Sequence, residues 1–94
     1  MVNINMSEAK LPHDFYFKFK NKKAKSVLIS GSFDDWKKKH SLIYESSKDI
    51  WTITLNLKRG KYNYKYIVDG NWQINPSEKS EKGDDGIINN YIIL

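Results

Sequence analysis

Two tryptophans in similar turn contexts are the side chains best suited to ligand chemistry in this chain. Trp36 ends the glycine- and aspartate-containing segment 31–36, and Trp72 follows the turn sequence Asp69-Gly70-Asn71. An indole beside a turn leaves a large apolar area in water at a free-energy cost, so the pair predicts a flat ligand rather than a core. A pyranose ring is such a ligand, because each of its faces presents a sheet of C–H groups.

The sequence also supplies polar partners for the hydroxyl rim of a sugar. Lys65, Asn71, Asn89 and Asn90 lie near the tryptophan segments or on the next predicted strand, and such side chains donate and accept hydrogen bonds. Each stacked indole that removes roughly 60 Å² of apolar surface from water at about 25 cal/mol/Å² contributes on the order of 1.5 kcal/mol. After association costs, two such contacts predict a dissociation constant of roughly micromolar to millimolar.

Length and composition limit the remaining possibilities. The chain has 94 residues, no cysteine and a formal net charge of +5. That length supports one domain and leaves little room for a separate catalytic domain. Without cysteine there is neither a disulfide framework nor a thiolate metal site, and no apolar run is long enough to cross a membrane. We therefore expect a soluble, cytoplasmic protein that needs no cofactor and no metal ion.

The basic charge raises the question of nucleic acid. Lysines cluster at 18–25 and at 37–39, and an acidic stretch covers 78–85. Basic patches with aromatic residues can follow a phosphate backbone, but such clusters are more often solvated turns and strand faces. The RNA-recognition signature of adjacent glycines and aromatics is absent. The sequence therefore favours a neutral ligand over nucleic acid.

Apolar residues alternate with a period of two along most of the chain, which predicts strands rather than helices. The predicted strands cover residues 13–20, 26–30, 42–45, 50–57, 61–69, a short segment at Trp72, and 87–94. About seven short strands joined by polar turns indicate an all-β fold, an antiparallel β-sandwich of immunoglobulin-like architecture. We assign residues 13–94 to this domain and expect 1–12 to form a flexible tail.

The same alternation predicts where individual side chains point. In 50–57, Trp51 shares one face with Ile53 and Leu55, so we expect the third tryptophan in the core. In 61–69, the tyrosines alternate with Lys65, which should point away from the core.

Several motifs together resemble the glycogen-binding domain of the AMP-activated protein kinase β subunit, which belongs to carbohydrate-binding module family 48. The resemblance covers roughly residues 14–94. It rests on the runs Ser30-Gly31-Ser32-Phe33-Asp34-Asp35-Trp36, Tyr64-Lys65-Tyr66-Ile67-Val68-Asp69-Gly70-Asn71-Trp72, Asn75-Pro76-Ser77-Glu78 and Asn89-Asn90. These motifs occur in the same order and at nearly constant spacing.

The resemblance implies a module that binds α-1,4-glucans such as glycogen or starch. By position, Trp36 and Trp72 would stack on glucose units, and Lys65 and Asn89 would bond their hydroxyls. The chain departs from the family where a leucine and a threonine of the late loop are replaced by Asp85 and Ile87. Loss of the leucine should weaken binding, whereas Asp85 can instead accept hydrogen bonds from sugar hydroxyls.

The sequence argues against catalysis. Glycoside hydrolysis requires two carboxylates facing each other across a cleft, roughly 5 to 9.5 Å apart. The pairs Asp34-Asp35 and Asp84-Asp85 are adjacent in the sequence, so their side chains should diverge, and no nucleophile motif accompanies His13 or His40. We therefore predict a non-catalytic glucan-binding module that targets a partner protein to polysaccharide. The alternative is a protein-interaction module that docks on a kinase or a starch-active enzyme and whose sugar site has decayed.

Overall fold

The computed structural model describes residues 13–21 and 23–94. The tail expected at 1–12 lies outside these residues. The strands are β1 (His13–Phe19), β2 (Val27–Gly31), β3 (His40–Ser41), β4 (Ile43–Glu45), β5 (Ile50–Leu57), β6 (Lys61–Val68), β7 (Asn71–Gln73), β8 (Ser80–Lys82) and β9 (Ile88–Ile93). A single turn of 3-10 helix, Ser32–Asp34, follows β2.

The strands form two antiparallel sheets, which confirms the predicted all-β sandwich. One sheet has the order β1-β5-β4, and the other has the order β3-β2-β6-β9-β8, with β7 also paired to β6. The prediction of about seven strands was too low, because the described residues contain nine. The two additional strands, β3 and β8, have two and three residues, which is too short for an alternating pattern to be recognised.

Aromatic contacts between the two sheets form the centre of the core. The ring of Phe17 on β1 lies 5.2 Å from that of Tyr64 on β6, edge to face, and Phe19 lies 4.8 Å from Tyr66. All four side chains are buried. Such pairs add about 0.5–1.5 kcal/mol to the free energy gained by burying their apolar area. The sandwich is therefore held together by side chains from β1 and β6.

Trp51 packs inward, as the sequence predicted. It is half-buried against the core, its ring lies 5.3 Å from that of Tyr44, and its Nε1–H donates to the carbonyl oxygen of Asn21 at 3.2 Å. The third tryptophan is thus structural, with its polar atom already bonded.

The end of β2 approaches β6 so closely that a side chain would not fit. A Cβ atom on Gly31 would lie 2.6 Å from the carbonyl oxygen of Asn63 and 2.8 Å from the Cβ atom of Tyr64, and it would also overlap the ring of Phe33. The φ angle of Gly31 is −165°, so this constraint is steric rather than conformational. Glycine at this position lets the loop after β2 begin against β6.

A buried polar network fastens the segment between β7 and β8 to β9. The amide of Asn90 accepts from the N–H of Asn75 at 2.7 Å and donates to its carbonyl oxygen at 2.9 Å. The hydroxyl of Tyr66 donates to Oε1 of Glu78 at 2.7 Å. Burial raises the pKa of Glu78, and the hydrogen bonds from Tyr66, Tyr64 and Asn75 oppose that rise.

We predict that Gly31→Ala lowers the free energy of unfolding by about 1–3 kcal/mol, because the added methyl group must displace backbone. Gly70→Ala is the matched control: its Cβ would meet no atom within 4 Å, but the φ angle of 85° disfavours a side chain, which costs about 1 kcal/mol. Urea unfolding of the two variants measures both effects. A Gly31→Ala variant as stable as the wild type would contradict the close approach of β2 and β6.

A second prediction concerns the pH dependence of stability. The pKa of Glu78 is higher in the folded state than its ordinary value of 4.5. The stability that protonated Glu78 contributes is therefore fully present below about pH 4.5, and it is lost as the pH rises through the folded-state pKa. Glutamine carries no charge at any pH. The unfolding free energy of Glu78→Gln minus that of the wild type should therefore increase from pH 4 to pH 7.5. Asp84→Asn, in the exposed loop after β8, is the control. A difference that does not change with pH would contradict the prediction.

Candidate carbohydrate-binding face

The loop that carries Trp36 is closed by backbone hydrogen bonds. The N–H of Trp36 donates to the carbonyl oxygen of Gly31 at 2.8 Å, and the N–H of Asp35 donates to that of Ser32 at 3.2 Å. This is the hydrogen-bond pattern of a Schellman motif, with Asp35 in the left-handed conformation. The Oγ atom of Ser32 also accepts from the N–H of Asn63 at 3.0 Å, which fastens the loop to β6.

Trp36 itself has a φ angle of 62°. A bulky side chain rarely adopts this left-handed region, and the conformation costs of the order of 1–3 kcal/mol. The preceding residue, Asp35, also has a positive φ angle, but aspartate tolerates this region better because its short side chain can form local hydrogen bonds. The loop therefore holds the indole in position at a cost in stability.

Trp72 is placed by the hairpin between β6 and β7. Asp69 and Gly70 have φ angles of 50° and 85°, as both central residues of a type I′ turn require. Oδ1 of Asp69 accepts from the N–H groups of Lys25 and Ser26 at 2.8 and 2.9 Å, which anchors the turn to the start of β2. Trp72 then lies directly opposite Ile67.

The outer face of β6 supports this indole. Tyr64, Tyr66 and Val68 point into the core, so Lys65 and Ile67 lie on the opposite face. Ile67 is only 4% exposed although it lies outside the core cluster. Its neighbours across the sheet are Leu28 and Trp72. Trp72 therefore stands beside a covered apolar residue rather than on a flexible loop.

The structure brings the two predicted tryptophans together. Their ring centroids are 6.5 Å apart, and the ring planes are inclined by 47°. Trp36 is 38% exposed and Trp72 is 48% exposed. We call these two residues the tryptophan pair. Together they form an angled apolar surface that is open to solvent.

Lys65 and Asn89 share this face. Lys65 is half-buried and lies opposite Ser30. In β9, Tyr91 is paired with Asn63 on the outer face, so the alternation also places Asn89 there. Asn90 points inward, is fully buried and is used by the polar network. The structure thus separates two adjacent asparagines that the sequence placed equally near the site.

Asp85 lies in the exposed loop between β8 and β9. Its Oδ1 atom accepts from the N–H of Ile87 at 2.9 Å, an arrangement that shapes the loop. The second carboxylate oxygen and the exposed side chain of Ile87 remain at the surface. The structure therefore leaves Asp85 accessible, although no hydrogen bond among the described residues connects it to the tryptophan pair.

Sequence reasoning missed one residue beside the pair. The Nζ atom of Lys39 lies 5.7 Å from the ring centroid of Trp72, a cation–π distance. The lysine cluster 37–39 indicated a charged loop, but only the hairpin brings Trp72 beside it.

Among the described residues, no group of three or more histidine, cysteine or acidic side chains is placed to hold a metal ion. Nε2–H of His40 donates to Oδ2 of Asp34 at 2.8 Å, and among the described residues no serine hydroxyl bonds to that pair. A cavity of about 380 Å³ lies near Phe19 and Glu78 rather than at the tryptophan pair. Stacking on a sugar requires an exposed surface and does not require an enclosed pocket.

The chain can be assigned by comparison with known proteins. Residues 13–94 match the family profile described as the glycogen recognition site of AMP-activated protein kinase. The chain belongs to this family. The matched residues include every strand described above.

Three relatives show the range of proteins that contain such a domain. The β-2 subunit of mouse 5′-AMP-activated protein kinase is 46% identical over 68 residues, which are 72% of this chain and 24% of that protein. Protein PTST of Arabidopsis thaliana, chloroplastic, is 38% identical over 73 residues, 76% of this chain and 26% of the relative. The amyloplastic phosphoglucan phosphatase DSP4 of Castanea sativa is 35% identical over 75 residues, 79% and 20% respectively. This chain therefore spans a minor part of each relative.

No helix among the described residues is long and apolar enough to cross a membrane.

The strained backbone at Trp36 leads to a prediction. Trp36→Gly and Trp36→Ala both remove the indole, but glycine adopts a positive φ without strain. We expect the glycine variant to be the more stable of the two by about 1 kcal/mol. Chemical unfolding measures the difference. At Trp72, in the extended strand β7, the order should reverse and alanine should be the more stable; the same order at both positions would contradict the strain.

Proposed function

We propose that the tryptophan pair, with Lys65 and Asn89, is the surface through which this domain binds α-1,4-glucans without transforming them. The observation that carries the proposal is the pair itself: two partly exposed indoles with centroids 6.5 Å apart on one face of the sandwich. An exposed apolar surface of this kind marks a binding site. The family to which the chain belongs supports a glucan as its ligand.

The inclination of the rings suits a curved chain. An α-1,4 linkage turns each glucose unit relative to the one before, so consecutive units present their C–H faces at an angle. Two indoles inclined by 47° can each cover one such face. A flat β-1,4-linked chain cannot lie against both rings at once. The geometry therefore favours α-glucans over cellulose-like chains.

Polar side chains beside the pair would bind the hydroxyl rim. The ammonium group of Lys65 donates, and the amide of Asn89 both donates and accepts, which matches the dual character of a hydroxyl. Asp85 would supply an additional acceptor in place of the leucine that the family resemblance implies there. Because its loop is separate from the pair, we expect Asp85 to modulate affinity rather than to determine it.

We infer that the domain directs a larger assembly to polysaccharide. The printed names of its relatives include a kinase subunit and a phosphoglucan phosphatase, and each of these proteins is several times longer than the matching segment. A weak module that binds a polymer with many repeats can raise the local concentration of an attached partner. We place this role in the cytoplasm, as for a kinase-associated module.

The proposal is tested by titrating the isotope-labelled chain with maltoheptaose and following the indole N–H signals of its three tryptophans by NMR. The signals of Trp36 and Trp72 should shift, and that of Trp51 should remain unchanged because its N–H is already bonded to Asn21. Trp72→Ala should weaken binding about tenfold or more, since it removes a stacking contact of on the order of 1.5 kcal/mol.

Two controls make the result specific. Cellohexaose tests the curvature argument and should bind far more weakly than maltoheptaose. β-Cyclodextrin tests whether a closed ring is accepted. If no indole signal shifts at millimolar maltoheptaose, or if Trp72→Ala binds like the wild type, the proposed surface is wrong.

A second candidate function is protein docking through the other sheet. Tyr16 and Ile43 are 52% and 72% exposed. They are paired with Thr54 and Thr52 of β5, so both lie on the outer face of the three-stranded sheet. This face is separate from the tryptophan pair, so docking on a kinase or a starch-active enzyme is compatible with glucan binding. It becomes the main function if the titration shows no sugar binding.

A further inference from the structure

Three consecutive lysines follow Trp36, and stacking on a neutral sugar gives them no role. Lys37, Lys38 and Lys39 are all exposed. The ammonium group of Lys39 lies over the ring of Trp72, 5.7 Å from its centroid, so it is within reach of a glucose unit that stacks on this indole. We call these three residues the lysine loop.

The positive charge of this loop is not neutralised by its surroundings. Among the residues that the structure describes, no carboxylate lies within ion-pair distance of the three ammonium groups. The nearest acidic residues in sequence are Asp34 and Asp35. The carboxylate of Asp34 is turned toward His40, at 2.8 Å, which leaves Asp35 as the remaining acidic side chain of the loop. Lys65 adds a further positive charge to the same face.

We propose that this face preferentially binds α-glucan that carries phosphate monoesters on hydroxyls next to the stacked glucose units. The inference rests on the proposed function, because the indoles would hold the sugar and the lysine loop would bind the phosphate. A phosphate monoester carries about −1.5 to −2 charges at neutral pH and offers three strong acceptor oxygens. Lysine ammonium groups meet such a group as mobile point charges, each with three donors.

The position of Lys39 connects the two parts of the site. Its ammonium group lies over the ring of Trp72 at the end of an exposed, flexible side chain, so a glucose unit that stacks on that face would displace it toward the hydroxyl rim of the sugar. A neutral hydroxyl gains little from that charge, whereas a phosphate on the same rim is attracted to it, and at longer range to the charges of Lys37 and Lys38. Since all three lysines are exposed, the attraction is screened by salt, and the preference should be moderate.

The test compares maltoheptaose with maltoheptaose that carries one 6-phosphate, by NMR titration or calorimetry. At about 20 mM salt we expect the phosphorylated sugar to bind roughly three- to tenfold more tightly, and at about 300 mM salt we expect the preference largely to disappear. The affinity for the neutral sugar should change little with salt. Trp72→Ala should weaken binding of both sugars.

A charge-matched pair of variants locates the phosphate contact. Lys37→Gln, Lys38→Gln and Lys39→Gln together should remove the preference, so that the ratio of the affinities for the phosphorylated and the neutral sugar falls to about one. The control combines Lys48→Gln, Lys58→Gln and Arg59→Gln, which removes the same charge from the turns after β4 and β5. This control should retain most of the preference.

The possible failures are distinguishable. Equal affinities for the two sugars would overturn this inference and leave the proposed function intact, whereas absence of neutral maltoheptaose binding would overturn the proposed function itself. The lysine loop is a general anion site, and the inference is overturned, if inorganic phosphate displaces the phosphorylated sugar at comparable concentration. The same conclusion follows if Trp72→Ala does not weaken binding of the phosphorylated sugar. A preference that survives in the lysine-loop variant would also overturn the inference.

Discussion

Strand β6 is paired along both edges and carries different chemistry on its two faces. β2 runs along one edge, and β9 and β7 share the other. On the inner face, Tyr64 and Tyr66 make the ring contacts with Phe17 and Phe19 that join the sheets. On the outer face, Lys65 and Ile67 lie under the proposed binding surface. A one-residue shift in the register of β6 would exchange these faces, so the core and the proposed site depend on the same pairing.

The proposed binding surface is built by turns that are tied back to this strand. Backbone bonds to Gly31 and Ser32 close the Trp36 loop, and the side chain of Ser32 accepts a bond from β6. The Asp69 carboxylate fastens the other turn to the start of β2. These bonds offset the cost of holding Trp36 at a positive φ angle. Rigid positioning favours affinity at a shallow site, because indoles that had to be ordered when the sugar binds would add an entropic cost to binding.

The two outer faces of the sandwich differ in a way that suits a targeting module. One face carries the tryptophan pair with Lys39 beside it, and the face of the smaller sheet exposes Tyr16 and Ile43. Polysaccharide and a protein partner could therefore be bound at the same time without competition. In the polar network, Asn90 is hydrogen-bonded to Asn75, which holds β9 so that Asn90 points inward. Asn89 therefore points outward, to the face of the tryptophan pair.

Much of this protein can be predicted from the sequence because alternation is a local property. β5 spans the predicted residues 50–57, and the orientations of Trp51 and Lys65 follow from the same period of two. Strands as short as β3 and β8 carry too few residues to show a period. The sequence determined which indoles lie beside turns. Only the tertiary structure decided their separation, their inclination and the position of Lys39 over Trp72, because these depend on how two turns more than thirty residues apart are brought together by the pairing of β2, β6 and β7.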